Sequence, residues 1–597
     1  MSSHDEPSLP DNETFKEVLE EPVNAYNKGD YDKAELLCCK ILSGDPLHPN
    51  ALCLLAAVRL KQNRANEALD LSAQAVEVAP NSASILAERS DILNRCKLHQ
   101  EALNLADDSI HFDSTLVKAH INRGIALVAL YRFAEAKREF SLASDIEPRC
   151  KPIALANTVL LHCEEGRYET ARKIADVLVQ EYPDDHAVAL LGARLSMYTP
   201  SITRREEYER SVSVWDTKSE DIEPLPYSQP RDPLSKRKVK IGYFSADFKD
   251  HPVSQFLMPV LEQHDRKKFE ISVIDVTPVP DEVSQKIRNF SDVYHCGVHQ
   301  TDRSLAESIR TEQIDILVDL TGRLENNRLN TFRFQPAPIQ VSWIGYSGTS
   351  GMQQMDYVLT DSFVCPVGYE EDFSEQVVRL PGHYLCFDPA IFAKRIPIMP
   401  FTGNVTFGSF NNHAKLNVDV VRVWSEILKR VSGSRLFLKS GRLNNPLLRE
   451  HIRKQFQSYG IVSHRLTIMH HVEPADHLLA YNSVDIALDP FPYCGTTTTV
   501  DALAMGVPVV TLVGERWIQR TSFGFLKGMG MESTCAPTEK DYIDIATSLA
   551  QDVPNIRKTK LERREAFFNS AVCDTRTFTL NLEAAYRAMC ESHCGSD

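Results

Sequence analysis

The most distinctive stretch of the sequence is DPFPYCGTTTTVDALAMGVPVV, which runs from Asp489 to Val510 and places four threonines in a row after Gly495. A helix that begins at these threonines would present unpaired backbone N–H groups and the positive end of its dipole, and both favour a bound anion. The glycine would let the backbone approach that anion closely, and the hydroxyl groups would add hydrogen-bond donors. The stretch therefore predicts a cradle for a diphosphate, although a capped structural helix would produce the same local pattern.

Three other residues have side chains that suit a phosphate or nucleoside site. Lys415 follows the apolar run VTFGSF and could bring positive charge to a leaving diphosphate. Taken alone, His477 and Asp501 have simpler interpretations, as a histidine on a helix surface and an acid near a helix start. The threonine stretch lacks the lysine and the G-x-x-x-x-G-K-[ST] spacing of a P-loop, so the pattern argues against a nucleoside triphosphatase.

These residues must be positioned by the second half of the chain, where short apolar runs alternate with amphipathic stretches. The runs form two sets, VKIGYFS, FEISVIDV, IDILVDL and IQVSWIGY, and then VTFGSF, SRLFLK, RLTIM, VDIALD and VPVVTLV. Strands that alternate with helices indicate parallel sheets covered on both faces, so we predict two Rossmann-like doubly wound domains, at 238–400 and 401–597, that face a cleft. Ligands of such sheets bind beyond the carboxyl ends of the strands, where the threonine stretch and Lys415 lie.

The first third of the chain contains an internal repeat. Alanines recur every 34 or 35 residues, at Ala34, Ala68, Ala102, Ala136 and Ala171. Each unit has the pattern of two amphipathic helices and resembles the tetratricopeptide repeat. We therefore predict a tail at 1–23, an α-solenoid of about five repeats at 24–200 whose groove binds proteins or peptides, and a helix and linker at 201–237. Stacking through the repeats would also allow a homodimer.

The composition indicates a folded protein without nucleic-acid or membrane partners. The chain has 597 residues, which is too long for one core and predicts several domains. Its formal net charge of −15 argues against binding to nucleic acid or anionic membranes, because phosphate neutralisation needs a basic face. The start, MSSHDEPSLPDNETF, lacks the features of a signal peptide, and no run of about 18 apolar residues occurs. We predict a soluble cytoplasmic protein, with a nuclear share if the source is eukaryotic, and no structural metal site among its scattered cysteines.

Five motifs in the second half together resemble one known family. They are IGYFSADFKDHPVSQF, ILVDLTGRLENNRL, PAPIQVSWIGYSGTSGMQQMDYVLTD, FGSFNNHAKLN and DPFPYCGTTTTVDALAMGVPVVTLVG. The chain is similar to the O-linked N-acetylglucosamine transferase and SPINDLY family from Lys238 to about Met589, and a tetratricopeptide array precedes this region in that family too. The resemblance implies a GT-B fold and transfer of a sugar from a nucleotide diphosphate to serine or threonine hydroxyls of proteins. It further implies inversion at the anomeric carbon and no metal ion or other cofactor.

The resemblance also implies roles for individual residues. On the donor side, Lys415 would neutralise the distal phosphate, Asp501 would bind the ribose and His477 would lie beside the nucleobase. Contacts to the phosphates would come from Asn412, Gly495, Thr496, Thr497 and Thr498. On the acceptor side, His251 of DHPVS would act as a base or as an orienting donor. The other acceptor-side residues would be Arg323, Tyr346, Gly348 and Thr349.

Two residues depart from the family pattern. Relatives often have LTGH where this chain has LTGR, so Arg323 replaces a histidine, and Ser347 stands where GYPGT is common. An arginine cannot act as a base at neutral pH. Three hypotheses therefore stand: an N-acetylglucosamine transferase that uses UDP-N-acetylglucosamine, which we favour; a fucosyltransferase that uses GDP-fucose; and a tetratricopeptide scaffold whose transferase half has lost turnover.

Overall fold

The computed structural model describes residues 12–62, 64–217, 222–226, 236–392, 396–470 and 474–594. The chain forms two compact units, residues 1–165 and 166–597. Of the predicted tail and linker, residues 1–11, 218–221 and 227–235 lie outside the described residues.

The first unit consists of paired helices. They are α1 Asn12–Asn27, α2 Tyr31–Gly44, α3 Pro49–Lys61, α4 Ala65–Val78, α5 Ala83–Arg95, α6 His99–Phe112, α7 Val117–Ala129, α8 Phe133–Ile146 and α9 Lys151–Glu164. The second helices of successive pairs, α2, α4, α6 and α8, start 34 residues apart, and their repeated alanines are fully buried. A small residue at these positions lets neighbouring helices approach closely. The predicted tetratricopeptide-like helical repeat is confirmed.

Three further helices open the second unit, namely α10 Tyr168–Glu181, α11 His186–Leu195 and α12 Arg204–Asp216. The sequence assigned α10 and α11 to the last repeat. The start of α12 is fixed by a capping box, in which the Thr203 hydroxyl accepts from Glu206 N and the Glu206 carboxylate accepts from Thr203 N. Helices α10, α11 and α12 therefore belong to the same compact unit as the sheets that follow them.

The first sheet has seven parallel strands in the order β3-β2-β1-β4-β5-β6-β7. The strands are β1 Val239–Ser245, β2 Phe269–Asp275, β3 Val293–Cys296, β4 Ile316–Asp319, β5 Ile339–Ser342, β6 Tyr357–Thr360 and β7 Gln376–Arg379. Its helices are α13 Pro252–Gln263, α14 Glu282–Asn289, α15 Asp302–Thr311, α16 Asn330–Arg333 and α17 Pro389–Phe392. The strand order reverses between β1 and β4, which makes that edge the expected ligand-binding point.

The second sheet has six parallel strands in the order β10-β9-β8-β11-β12-β13. They are β8 Thr406–Ser409, β9 Arg435–Lys439, β10 Leu466–Met469, β11 Ile486–Leu488, β12 Val509–Leu512 and β13 Cys535–Ala536. The accompanying helices are α18 Val418–Arg430, α19 Pro446–Ser458, α20 Pro474–Ala480, α21 Thr497–Ala504, α22 Thr521–Gly528, α23 Glu539–Gln551, α24 Val553–Lys558 and α25 Lys560–Phe568. Here the order reverses between β8 and β11. The predicted fold class, a helical solenoid followed by two Rossmann-like doubly wound domains, is confirmed.

The last helix, α26 Thr575–Cys594, packs against the first sheet domain. Its Glu583 carboxylate accepts from His264 Nδ1 at 2.9 Å, and its Tyr586 hydroxyl lies 3.3 Å from that of Tyr243. All four side chains are buried. The predicted span of the second domain, 401–597, therefore includes a helix that completes the first. Within the described residues, no helix is both long and apolar enough to cross a membrane.

Candidate functional site

Lys415 lies in the turn between β8 and α18, at the point where the strand order of the second sheet reverses. Its Nζ donates to Asn411 Oδ1 at 3.1 Å and to the carbonyl of Cys494 at 2.8 Å, and it sits 3.9 Å from the centre of the Tyr493 ring. Burial lowers the pKa of Lys415 to about 8. Among the described residues, no carboxylate lies within 4.0 Å of this ammonium group. A cation held only by neutral groups is well suited to pair with an anionic ligand.

The threonine stretch lies directly after β11, across the switch point from Lys415. Helix α21 begins at Thr497, and Thr496 precedes it as the N-terminal cap. The Thr498 hydroxyl donates to Asn411 Oδ1 at 3.1 Å, the same oxygen that accepts from Lys415. In the described chain, the hydroxyls of Thr496 and Thr497 have no hydrogen-bond partner. The structure thus brings the lysine and the threonine loop together, with free donors beside the start of a helix.

Gly495 permits the tight geometry of this loop. Its backbone N–H donates to Asp489 Oδ1 at 2.6 Å. A Cβ atom at this position would lie 2.6 Å from Thr499 Oγ1, 2.7 Å from Thr498 Oγ1 and 2.9 Å from Asp489 Oδ1. Only glycine fits without displacing the Thr498 hydroxyl, which donates to Asn411, or the buried Thr499 hydroxyl, which lies 2.8 Å from that of Ser522.

His477 and Asp501 form a hydrogen-bonded chain with a third residue, Lys439. Lys439 Nζ lies 2.6 Å from His477 Nδ1, and His477 Nε2 lies 3.1 Å from Asp501 Oδ2. A protonated lysine can only donate, so Nδ1 must accept and Nε2–H must donate to the carboxylate. His477 and Asp501 are therefore hydrogen-bonded to each other, and the neutral His477 ring has its proton on Nε2. Lys439 and Asn412 line a pocket that Lys415 also lines, so the hydrogen-bonded residues Lys439, His477 and Asp501 lie beside Lys415.

On the first sheet, His251 follows β1 and caps α13. Its Nδ1 accepts from Val253 N at 3.4 Å and lies 4.0 Å from Asp247 Oδ2. Burial lowers the pKa of His251, although Asp247 opposes the shift. Because Nδ1 accepts a backbone N–H, the neutral ring has its proton on Nε2. This tautomer suits an orienting donor better than a base.

Of the other predicted acceptor-side residues, Tyr346, Gly348 and Thr349 lie in the loop after β5, and Arg323, which follows β4, contacts that loop. Arg323 is 8% exposed, its Nη2 donates to the carbonyl of Thr349 at 3.3 Å, and its guanidinium lies 4.3 Å from the Tyr346 ring centre. The Tyr346 hydroxyl donates to Glu207 Oε1 at 3.2 Å, and a Cβ at Gly348 would lie 3.3 Å from that same oxygen. The structure brings these four residues together in a closely packed group.

A family model described as glycosyl transferase family 41 matches residues 203–396 and 398–582, more than half of the chain. The chain belongs to this family. The resemblance that the motifs indicated is thereby confirmed. The matched region includes both sheets and every predicted site residue.

Similar proteins agree with this assignment. The chain is 35% identical over 402 residues to a Solanum lycopersicum protein described as a probable UDP-N-acetylglucosamine–peptide N-acetylglucosaminyltransferase SPINDLY, covering 64% of this chain and 42% of that protein. It is 30% identical over 376 residues to an Arabidopsis thaliana protein with the same description but the name SEC, covering 60% and 38%. The chain thus spans about two fifths of the length of these curated relatives.

A solved structure, the Thermobaculum terrenum O-GlcNAc transferase in a lysine-to-methionine mutant, matches with a TM-score of 0.69 and 27% identity, over 99% of this chain and 100% of that one. This match extends beyond the family model into the helical repeats.

Asp247 and Asp319 have buried carboxyl groups, and neither was among the predicted site residues. Asp319 ends β4 and accepts from Thr321 N at 3.1 Å and Gly322 N at 2.8 Å. Burial raises its pKa to about 7, and the nearby Asp247 contributes in the same direction. Both were visible in the sequence as acids at strand ends, in ILVDL and FSADF. A carboxyl group that titrates near neutrality can exchange a proton during a reaction.

A second omission is the contact between α10 and the Lys415 turn. The Tyr168 hydroxyl donates to the carbonyl of Ala414 at 2.6 Å, and Val418 N donates to the carbonyl of Gly166 at 3.2 Å, so both sides of the turn are held. The Tyr168 ring also stacks on Tyr198, which in turn contacts Tyr493 beside Lys415. A helix predicted as part of the repeats thus positions the lysine.

Proposed function

We propose that this protein is an O-glycosyltransferase that moves N-acetylglucosamine from UDP-N-acetylglucosamine to serine or threonine hydroxyls of proteins, with inversion and without a metal ion. The proposal rests on the convergence of Lys415 and Thr498 on Asn411, beside the start of α21. A leaving diphosphate at this point would meet an ammonium group, helix N–H groups and free hydroxyls. Preorganised groups that stabilise developing negative charge are usually the largest contribution to catalysis.

The acceptor hydroxyl must lose a proton as its oxygen attacks the anomeric carbon and the bond to the diphosphate breaks. In the tautomer described above, His251 would orient an oxygen through Nε2–H. Asp319, at the end of β4, is the second candidate to receive the proton, because burial raises its pKa to about 7. Arg323 would bind rather than accept protons, so its replacement of a histidine is compatible with turnover.

The names of the Solanum lycopersicum and Thermobaculum terrenum relatives support N-acetylglucosamine as the donor sugar. The two alternatives are a fucosyltransferase that uses GDP-fucose and a scaffold protein whose transferase half has lost turnover. The helical repeats would hold the protein part of the substrate. The cytoplasmic location and the homodimer that the sequence predicts are proposals as well.

The direct test incubates the full chain with protein extracts and either UDP-N-acetylglucosamine or GDP-fucose labelled in the sugar. We expect label on serine or threonine from the UDP donor, identified by fragmentation of the modified peptides. Label from GDP-fucose alone would reassign the donor. The absence of label from both donors, with nucleotide binding intact, would favour the scaffold hypothesis.

Transfer should decline as the pH rises through about 8. The protonated form of Lys415 is the one that stabilises the leaving diphosphate, and burial lowers its pKa to about 8, so the free enzyme loses the charge above that pH. A bound diphosphate raises the pKa of the lysine, so kcat/KM should decline at a lower pH than kcat. In Lys415→Arg the guanidinium stays protonated, and the alkaline decline should disappear even if the rate is lower. A wild-type kcat/KM that stays constant above this range would contradict the role of Lys415.

Replacement of Tyr168 by phenylalanine should lower kcat by about threefold to tenfold, with little change in KM for the nucleotide sugar. The substitution removes one hydrogen bond to the Lys415 turn, of about 1 kcal/mol, and keeps the ring that stacks on Tyr198. Steady-state kinetics at saturating donor measures the effect. Tyr182→Phe, at the other end of α10, is the matched control and should have wild-type kinetics. Equal kcat values for the two variants would show that the contact does not position the lysine.

A further inference from the structure

A small cavity lies on the predicted acceptor side of the second unit, and neither Lys415 nor the threonine stretch lines it. Its walls come from α11 and α12, from Asp302 at the start of α15 and from the segment that follows β4, and its volume is about 80 Å³. The lining residues include His186, Trp215, Arg323 and Arg328. Within the described chain, none of its lining residues belongs to the second sheet domain. A ligand here would therefore contact neither the lysine nor the threonine loop.

Arg323 is the lining residue whose bonding is incomplete. Its side chain is 8% exposed, and one guanidinium nitrogen, Nη2, donates to the carbonyl of Thr349. The other, Nη1, is buried and has no hydrogen-bond partner in the part of the chain that the structure describes. A buried charged donor without a partner costs more free energy than a neutral one, so a bound acceptor would stabilise the arrangement.

The charges around the cavity leave one positive charge uncompensated. Arg328 is paired with Asp302, whose carboxylate also accepts from the Thr331 hydroxyl at 3.1 Å. Glu207 accepts from the Tyr346 hydroxyl and lies 3.8 Å from Arg516. No carboxylate of the described residues lies within 4.0 Å of Arg323. The cavity therefore favours an anionic group.

The size of the cavity restricts that group. About 80 Å³ is well below the roughly 300–1,000 Å³ of pockets that enclose drug-sized ligands, so a nucleotide does not fit, whereas the end of an acidic side chain does. A guanidinium binds a carboxylate through two parallel hydrogen bonds, and Nη1 of Arg323 is a nitrogen that has no partner among the described residues.

We infer that this cavity binds the carboxylate of an aspartate or glutamate that flanks the modified serine or threonine of the acceptor protein. Arg323 would then determine acceptor specificity, selecting acidic neighbours at one fixed distance from the hydroxyl. The identity of the ligand as an acceptor protein rests on the proposed function. The preference for a carboxylate rests on the cavity alone.

Fluorescence of Trp215 allows binding to be measured without turnover. The chain has four tryptophans, and Trp343, Trp424 and Trp517 are buried, whereas Trp215 is half-buried and lines the cavity. The probes are short alanine-based peptides with one serine and one aspartate, placed at each flanking position in turn, and matched peptides with asparagine. At one position, the aspartate peptide should bind about tenfold more tightly than its asparagine partner, and the fluorescence change should disappear in Trp215→Phe.

Two variants test the residue itself. Arg323→Gln should remove the aspartate preference, and Arg323→Lys, which keeps the charge without the planar fork, should retain part of it. Equal binding of the aspartate and asparagine peptides to the wild-type chain at every position would overturn the inference without any variant. So would a preference that survives in a folded Arg323→Gln protein, or a phosphoserine peptide that binds more tightly than the aspartate peptide. Failure of sugar transfer in the presence of this preference would overturn the proposed function instead.

Discussion

Replacement of Lys415 by alanine should lower kcat by about a hundredfold to a thousandfold, the range seen when one preorganised stabiliser of developing charge is removed. The lysine is the cation that the structure places beside the threonine loop, where the leaving diphosphate would accumulate charge. The loss should appear in kcat, because the interaction strengthens as the bond to the leaving group breaks, and it should be larger in kcat/KM, because the charged lysine also contributes to binding of the diphosphate. Single-turnover sugar transfer with the full chain measures it.

The same variant should remain folded. The substitution leaves Asn411 Oδ1 and the Cys494 carbonyl without the lysine donor, at a cost of about 1–3 kcal/mol, but it also removes a charge whose burial is unfavourable. Lys454→Ala is the matched control, because that side chain is 70% exposed in the same sheet domain. Wild-type transfer by Lys415→Ala would refute the assigned role, and a loss of similar size in Lys454→Ala would point to a general defect.

Replacement of Gly495 by alanine should abolish nucleotide binding and lower kcat/KM by about a hundredfold or more. The added Cβ would lie within 3.0 Å of Asp489 Oδ1 and of two threonine hydroxyl oxygens, so the loop must shift. A displacement of about 1 Å at a positioning group can cost about a hundredfold in rate. Calorimetric titration with UDP and steady-state kinetics give the two values.

Gly528 provides the control for this substitution. It ends α22 in the same sheet domain, and a Cβ there would meet no atom within 4 Å. Gly528→Ala should bind UDP like the wild type, and its stability should be unchanged or slightly higher because alanine restricts the unfolded chain. If Gly495→Ala bound UDP as tightly as Gly528→Ala does, the threonine loop would not be the diphosphate site.

Much of the architecture follows from local patterns. The recurrence of buried alanines fixes the helical repeat, and the alternation of apolar runs with helices fixes the two parallel sheets. Lys415 and the threonine stretch were identifiable because each follows a strand, and the carboxyl ends of parallel strands share one edge. Their convergence on Asn411 depends on β8 and β11 being neighbours. That pairing cannot be derived from composition or spacing.

The features that sequence reasoning missed depend on contacts between distant segments. Tyr168 holds Ala414 across 246 residues, and α26 returns to the first sheet after the second is complete. Lys439 looks like an ordinary strand residue until its contact with His477 is known. Asp319 was visible at a strand end, but its raised pKa follows from burial that only the folded chain defines.

The account depends most on the switch point of the second sheet being a nucleoside diphosphate site, and thermal unfolding of the full chain tests this directly. Unfolding should be measured with UDP, GDP, UMP and GMP at matched concentrations. A ligand that binds only the folded state at about a thousandfold excess over Kd stabilises it by about 4 kcal/mol. We predict that UDP raises Tm, that UMP raises it much less, and that Lys415→Ala removes most of the difference. Unchanged Tm with both diphosphates would contradict the account.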